Sequence, residues 1–424
     1  MKFKKTTLPN GLRIITIPTK GNPSVTVMVM TKTGSKYESK TQGGLSHFLE
    51  HMMFKGTKNR PSSAIINKEL DALGAMTNAE TVEEYTSYYA KAEKKHWKHI
   101  LEIISDMYLH PNFPPAELEK ERGVIIQEIS MYEDLPQYKV LEVFLELLYG
   151  DTPAGRSIAG TKENILKLKQ ESFVDYHKKH YVAEGTTVIV GGDVSEYDVM
   201  KEVKKLFKDI PKAKKPTKEK VVEKQTKPQL SVLDKKTDQT HIILGFRAWG
   251  AKDKRQIILD VLSGVLGGGM SSRLHQKLRD ELGACYYVYS SNRDLTDHGY
   301  FSISVGLENT RIEEITKVLL DECKKIIDEP IQKEELQRVK DYIVGHMYMG
   351  LETSDSLVNY YSHQEVLKGN LKTPSEIEKQ IRAVTPEQIR KVAKEIFQNK
   401  NLNLAIVGDI KDEKSLKKVL LLDK

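Results

Sequence analysis

Cysteine is nearly absent. The 424 residues contain two, Cys285 and Cys323, so one bridge at most can form and no disulfide framework specifies the fold. Long apolar runs are absent as well. None nears the roughly 18–20 residues that span a bilayer, and no membrane partner is expected. The opening residues, MKFKKTTLPNGLRIITIP, bring lysines without the apolar stretch of about 7–15 residues that marks a secretory signal. Arginine is too scarce there for a transit peptide. The segment reads as the first strand of the fold, in a cytoplasmic protein. A strong charge bias is missing too. The net charge of +7 is concentrated in residues 211–227, PKAKKPTKEKVVEKQTK, where seven lysines face two glutamates. Such a Lys/Pro-rich segment reads as a solvated linker. The remainder is close to neutral, which argues against nucleic acid as a partner.

What is present is an ordinary globular composition, 39% hydrophobic and 29% charged. At roughly 150 residues per domain, the length suggests two or three domains. The linker divides the chain near its middle, and the two halves end alike. The first closes with ESFVDYHKKHYVAEGTTVIVGGDV, the second with EQIRKVAKEIFQNKNLNLAIVGDI, at a constant offset of 216 residues. Each reads as an amphipathic helix, a turn and a buried strand ending in Gly-Asp, a register that points to duplication. Strands open both halves: LRIITIP and SVTVMVMTKTG in the first, HIILGFRAW in the second. A long helix follows in each, near 115–149 and 331–351. The expected fold is α+β, with homologous sheet-plus-helix layers at 1–210 and 229–424 joined by a linker at 211–228.

The chemistry concentrates in SHFLEHMMFKGT, residues 46–57. On a helix, His47 and His51 share a face, with Cβ atoms roughly 5–6 Å apart. Two imidazoles so placed can both reach one Zn2+ at about 2.0–2.1 Å. Glu50 borders that face and is suited to take a proton from water. Leu45, Phe48, Leu49 and Met52 give the helix an apolar flank, and Gly43 and Gly44 permit a tight entry. The order His-x-x-Glu-His inverts the common zinc-protease order. A catalytic zinc needs a third protein ligand. Glu121 and Glu128, two turns apart within PPAELEKERGVIIQEISMYEDL, are the candidates: one completes the site and the other supports it from behind.

His47-Phe48-Leu49-Glu50-His51 followed by Glu128 resembles the pitrilysin/insulinase family of zinc peptidases, most nearly its mitochondrial-processing-peptidase-like branch. LPNGLRI, GGLSHFLEHMMFKGT, NAETVEEYTSYY at 78–89 and GGGMSSRLHQKLRDELGACYYVYS at 267–290 carry the likeness across nearly the whole chain. The resemblance implies that His47, His51 and Glu128 bind one Zn2+ per chain, with Glu121 behind them and Glu50 as general base. It implies an Arg/Tyr pair that matches Arg279 and Tyr286, with Tyr287 adjacent, holding the substrate and stabilising the oxyanion. It also implies an edge strand between Asn78 and Tyr89 that takes an extended peptide at Asn78 and Ala79 by β-augmentation. The bland alternative for that segment is an edge protected by Glu80, Glu83 and Glu84.

Other motifs read as structural. GGGMSSR at 267–273 lacks the Gly-Lys-Ser/Thr ending of a phosphate loop and is expected to be a turn. His177 and His180 sit among lysines and are expected on the surface. Cys285 is read as a small buried residue. The second half has no His-x-x-Glu-His and is expected to be an inactive copy. The function expected is a zinc metalloendopeptidase acting on short unfolded peptides in a closed chamber. A homodimer is the expected assembly, with Arg279 and Tyr286 acting across its interface. The alternatives are a leader-peptide processing peptidase paired with a homologous subunit, or a non-catalytic structural subunit.

Overall fold

The computed structural model describes residues 2–410 and 412–422. It is a mixture of helices and two sheets, as an α+β reading requires. The chain forms two compact units. The first comprises residues up to Ser130, Arg156–Glu219 and Gly350–Thr373; the second comprises Met131–Gly155, Lys220–Met349 and the chain from Pro374 on. The units therefore do not follow the expected division at 1–210 and 229–424. Two helices are exchanged: Pro136–Tyr149 packs in the second unit and Ser354–Leu367 in the first.

In the first unit the strands are β1 (Lys4–Thr7), β2 (Arg13–Pro18), β3 (Ser24–Thr31), β4 (Met76–Thr81), β5 (Thr86–Glu93) and β6 (Thr186–Gly192). They lie in the order β1-β2-β6-β3-β5-β4. Alternation sets the faces. Val25, Val27 and Val29 of β3 point into a core with Phe48, Ile100, Ile104 and Phe173, drawn from helices Leu45–Met52, Trp97–Leu109 and Gln170–His180. The Ser354–Leu367 helix takes the opposite face. Its Ser354 hydroxyl lies 2.8 Å from that of Thr26. Its Glu365, 1% exposed, receives Lys5, Arg13 and Lys32 at 2.6, 3.0 and 3.1 Å. Burial draws the Lys32 ammonium down to about 8, against the pull of Glu365.

In the second unit the strands are β7 (Gln229–Asp234), β8 (Thr240–Ala248), β9 (Cys285–Asp294), β10 (Gly299–Leu307) and β11 (Leu402–Gly408), in the order β7-β11-β8-β10-β9. This repeats β2-β6-β3-β5-β4 strand for strand. The one parallel pair also recurs, β2 with β6 and β7 with β11. The offset of 216 seen in the sequence maps helix Gln170–His180 onto Pro386–Ile396 and β6 onto β11. One face of this sheet packs Leu259, Leu319, Ile389 and Phe397. On the other, Val140, Phe144 and Leu148 of the Pro136–Tyr149 helix meet Ile243, Ala405 and Val407. Gly245 of β8 makes that approach possible, since a Cβ there would strike the Phe144 ring.

Three expectations change. The helix foreseen over 115–149 is two, Pro115–Asp134 and Pro136–Tyr149. Pro136 cannot supply the N–H that would continue the first helix, and it suits the first turn of the next. The segment 78–89 is a hairpin and not one edge strand. β4 is the edge, while Thr86 and Tyr88 lie on interior β5 and Glu84 is buried. Finally, no helix or strand forms between Ile210 and Gln229, yet the segment is not wholly solvated: Lys218 reaches buried Glu84 at 3.1 Å, beside Lys36 at 3.0 Å.

Candidate metal centre

The Leu45–Met52 helix starts at Gly44, whose φ of +91° is left-handed and where a Cβ would lie 2.5 Å from the Ala159 carbonyl oxygen. Buried Glu38 then caps the helix, accepting from the backbone N–H groups of Gly44 at 2.9 Å and Ser46 at 2.5 Å. Leu45, Phe48, Leu49 and Met52 are fully buried. At about 1.5–3 kcal/mol for each large apolar side chain, that packing fixes the rotation of the helix. The opposite stripe, His47, Glu50 and His51, is left partly open.

The Pro115–Asp134 helix brings two carboxylates to this stripe. Glu128 Oε2 lies 3.7 Å from His47 Nε2 and 3.8 Å from His51 Nε2. The donor atoms of a tetrahedral zinc stand roughly 3.4 Å apart, and both Glu128 distances lie within a few tenths of an ångström of that spacing. Among the described residues this is the one group of three potential ligands that converges so closely, all within 4.8 Å. Glu121 takes the other role. Its Oε1 accepts from His51 Nδ1 at 2.9 Å and its Oε2 meets Lys55 Nζ at 2.5 Å. That bond leaves His51 Nε2 as the metal-facing nitrogen. The two acids left open by the sequence are thereby separated by position.

The electrostatics fit a site built for a cation. Burial, aided by the neighbouring His51, lowers His47 to about 4, so its imidazole is neutral and free to ligate. Its Nδ1 is buried and finds no partner among the described residues. Burial also pulls His51 down, but the Glu121 hydrogen bond and the charges of Glu50, Glu121 and Glu128 outweigh it and leave it raised. Glu50 is raised, first by burial and further by Glu128 and Glu80, against the Thr81 hydroxyl and His51. Burial works to raise Glu121 too, yet its bonds to His51 and Lys55 prevail and hold it low. Lys55 and Glu38 were not singled out from the sequence, and Thr81 was read as part of the edge strand and not of this site. Lys55 had a signal, being four residues past His51 on the same turn path; Thr81 and Glu38 depend on tertiary contacts.

β4 places Asn78 and Ala79 at the free edge of the first sheet. The Ala79 N–H is occupied by its neighbour, donating to Asn78 Oδ1 at 2.9 Å. Arg279 and Tyr286 form a pair in the second unit. Arg279 stands on a π-helical turn, Gln276–Glu281, and its Nη1 donates to the Tyr286 carbonyl at 2.8 Å. Tyr286 is 55% exposed. Tyr287 points to the other face of β9, its hydroxyl 3.0 Å from His241 Nδ1, so the adjacent tyrosines differ in environment. A cleft of about 370 Å3 in this unit is lined by Tyr138, Tyr287, Tyr289 and serines of β9 and β10, without a carboxylate or histidine.

His177 and His180 correct an expectation. His180 is buried and His177 only partly exposed. His177 Nε2 bonds the Tyr108 carbonyl at 2.8 Å, and His180, 2% exposed, stacks on Tyr176 with Nδ1 2.9 Å from the Thr33 hydroxyl. Burial lowers both to about 4. Cys285 is half-buried with its thiol pushed up by burial, and Cys323 is buried. Among the described residues no helix is long and apolar enough to cross a membrane.

Comparison with known proteins follows the same lines. A family profile described as "Insulinase (Peptidase family M16)" matches residues 13–162, and one described as "Peptidase M16 inactive domain" matches residues 167–343. An uncharacterized zinc protease of Bacillus subtilis is 33% identical over 398 residues, covering 93% of this chain and 96% of its own. Another, of Streptomyces coelicolor, is 30% identical over 418 residues, covering 97% and 91%. A protease structure from Helicobacter pylori superposes with a TM-score of 0.89 at 25% identity, over 96% of this chain and 99% of that one. A Pseudomonas fluorescens structure described as a peptidase M16 inactive domain gives a TM-score of 0.90 at 17% identity, over 98% and 100%, a likeness of fold alone. These matches do not single out the mitochondrial-processing-peptidase branch. With two imidazoles and a carboxylate converging from the inverted motif, and zinc proteases among relatives that it matches almost end to end, this chain belongs to the pitrilysin/insulinase family of peptidases, family M16.

Proposed function

We propose that the protein is a zinc metalloendopeptidase that hydrolyses short unfolded peptides. The observation that carries the reading is the convergence of His47, His51 and Glu128 from two helices, with Glu50 on the same helical turn. These three side chains would hold one Zn2+, and Glu121 would orient His51. Zinc, when bound, supplies a Lewis acid that lets water act as a nucleophile near neutral pH. Glu50 takes the proton of the attacking water on its carboxylate and passes it to the departing amine nitrogen. Its raised pKa moves in the direction that transfer requires. The scissile peptide is held as an added strand on β4, its carbonyl replacing the Asn78 amide oxygen at the Ala79 N–H. Only an extended chain with free backbone groups can do this, which favours unfolded peptides. In a homodimer, Arg279 and Tyr286 of the second copy would stabilise the substrate carbonyl as its oxygen gains charge.

The test is mass spectrometry of a mixed peptide pool incubated with zinc-loaded protein, with and without chelator. Cleavage that the chelator abolishes and zinc restores is expected. Glu50→Gln should keep one zinc per chain and lose about 10²–10⁴ in rate. Undiminished cleavage by that variant removes Glu50 from the mechanism.

A further inference from the structure

The free edge of the first sheet carries a carboxylate, Glu80, that enters this mechanism only through its charge near Glu50. Among the described residues β4 pairs only with β5, and the Val82 N–H donates to the Tyr85 carbonyl at 3.0 Å to close their two-residue turn. In an antiparallel pair that bond fixes the alternation. Thr77, Ala79 and Thr81 turn their backbone groups toward the free edge. The side chains alternate as well. Thr77 and Ala79 face the same way as their partners Ala90 and Tyr88, which belong to the core. Glu80 lies opposite Ser87 on the other face, together with Tyr89 and Lys91.

On that face Glu80 is anchored but not neutralised. Its Oε1 accepts from the Tyr85 hydroxyl at 2.9 Å and the Ser87 hydroxyl at 3.3 Å. Neither donor carries charge. No cation among the described residues pairs with it: Lys91, the basic group on the same face, is held by Asp355 at 2.6 Å. The Tyr85 hydroxyl is fixed in turn, 3.4 Å from His363 Nε2. The result is a half-buried carboxylate, oriented by two hydroxyls, on the strand with the open edge.

We propose that Glu80 selects a lysine or arginine side chain on the peptide that adds to β4. The inference rests on the peptide-hydrolase reading only in taking β4 as the receiving strand. Along an added strand, every second side chain projects to the Glu80 face. The one opposite comes within about 4.5–5.5 Å between Cβ atoms, the distance at which opposite charges attract across strands. Cross-strand charge pairs of this kind contribute enough to strand pairing to shift an equilibrium by up to about fivefold. Glu80 is thus a specificity residue and not a catalytic one.

Binding separates this from the chemistry. Zinc-loaded Glu50→Gln protein is titrated with labelled unfolded peptides that differ at one scanned position, carrying lysine, norleucine or glutamate, and followed by fluorescence anisotropy. Lysine should bind about two- to fivefold more tightly than norleucine at alternate positions, and glutamate more weakly by a similar factor. Adding Glu80→Gln should bring the ratios to one, and Glu80→Lys should invert them. A protein with Glu80 intact that shows no preference for lysine overturns the proposal before any variant is made. So does a preference that survives in Glu80→Gln, or a failure to bind any peptide. Cleavage by the protein with Glu50 intact reports on the hydrolase reading separately.

Discussion

Replacing Glu121 should weaken zinc binding without touching a ligand. Glu121 is 7% exposed and makes two charge-assisted contacts, to His51 Nδ1 at 2.9 Å and to Lys55 Nζ at 2.5 Å. The first fixes the tautomer that turns Nε2 toward Glu128 and makes that nitrogen more basic. In Glu121→Gln the amide oxygen can still accept from Nδ1, so orientation survives while the charge is lost; Glu121→Ala loses both. Carboxylates that orient a ligating histidine are worth about 10–100-fold in metal affinity. The glutamine variant should therefore lose about tenfold and the alanine variant about 100-fold, or roughly 1.4 and 2.7 kcal/mol. Lys55→Met supplies the opposite perturbation. It frees Glu121 from its cation, so zinc affinity should hold or rise. Competition against a chromophoric chelator at pH 7.5 and physiological ionic strength reads all three, with circular dichroism to confirm the fold. Affinities within twofold of the parent for both Glu121 variants would refute the reasoning.

Two further outcomes follow from the geometry. His177 titrates near 4 in the folded chain against 6.5 when unfolded, because burial disfavours its charged form. Below 6.5 the unfolded chain takes the proton first, so this stability is present above 6.5 and is lost as pH falls toward 4. Urea unfolding of zinc-loaded protein at pH 7 and pH 5 should show His177→Gln, which can still donate to the Tyr108 carbonyl, losing about 2 kcal/mol less than the parent; equal losses would contradict it. For assembly, we keep the homodimer as the proposal, with Arg279 and Tyr286 acting across its interface. Size exclusion coupled to the peptide assay should place activity in the dimer, and an active monomer would remove the trans arrangement.

Much of this molecule could be read from local pattern. The 216-residue offset survives as the same strand order in both sheets, because a strand ending in Gly-Asp after an amphipathic helix is encoded within two dozen residues. That His47 and His51 share a face followed from helical spacing alone. What escaped was set by contacts distant in sequence. Nothing near Val140 or Val358 says that each helix packs in the unit that the other half of the chain supplies most of. Spacing alone left Glu121 and Glu128 interchangeable; the family resemblance assigned Glu128 to the metal, and the second helix brings it to the histidines. His177 and His180 are instructive because the signal was there. Phe173, Tyr176 and His180 keep the spacing of one helical face, which the helix buries with His177 partly covered beside it, while Lys178 and Lys179 point outward. Buried Glu84 shows the reverse, an acid in a polar turn that is satisfied by Lys36 and Lys218 from far along the chain.

The central claim is that two imidazoles and one carboxylate share a single zinc and leave it open to water. X-ray absorption spectroscopy of the zinc-loaded protein tests this most directly. The account predicts four nitrogen or oxygen neighbours at about 2.0–2.1 Å, with two imidazole signatures that fall to one in His51→Ala. A sulfur neighbour, a third imidazole, or a spectrum unchanged by His51→Ala would contradict it.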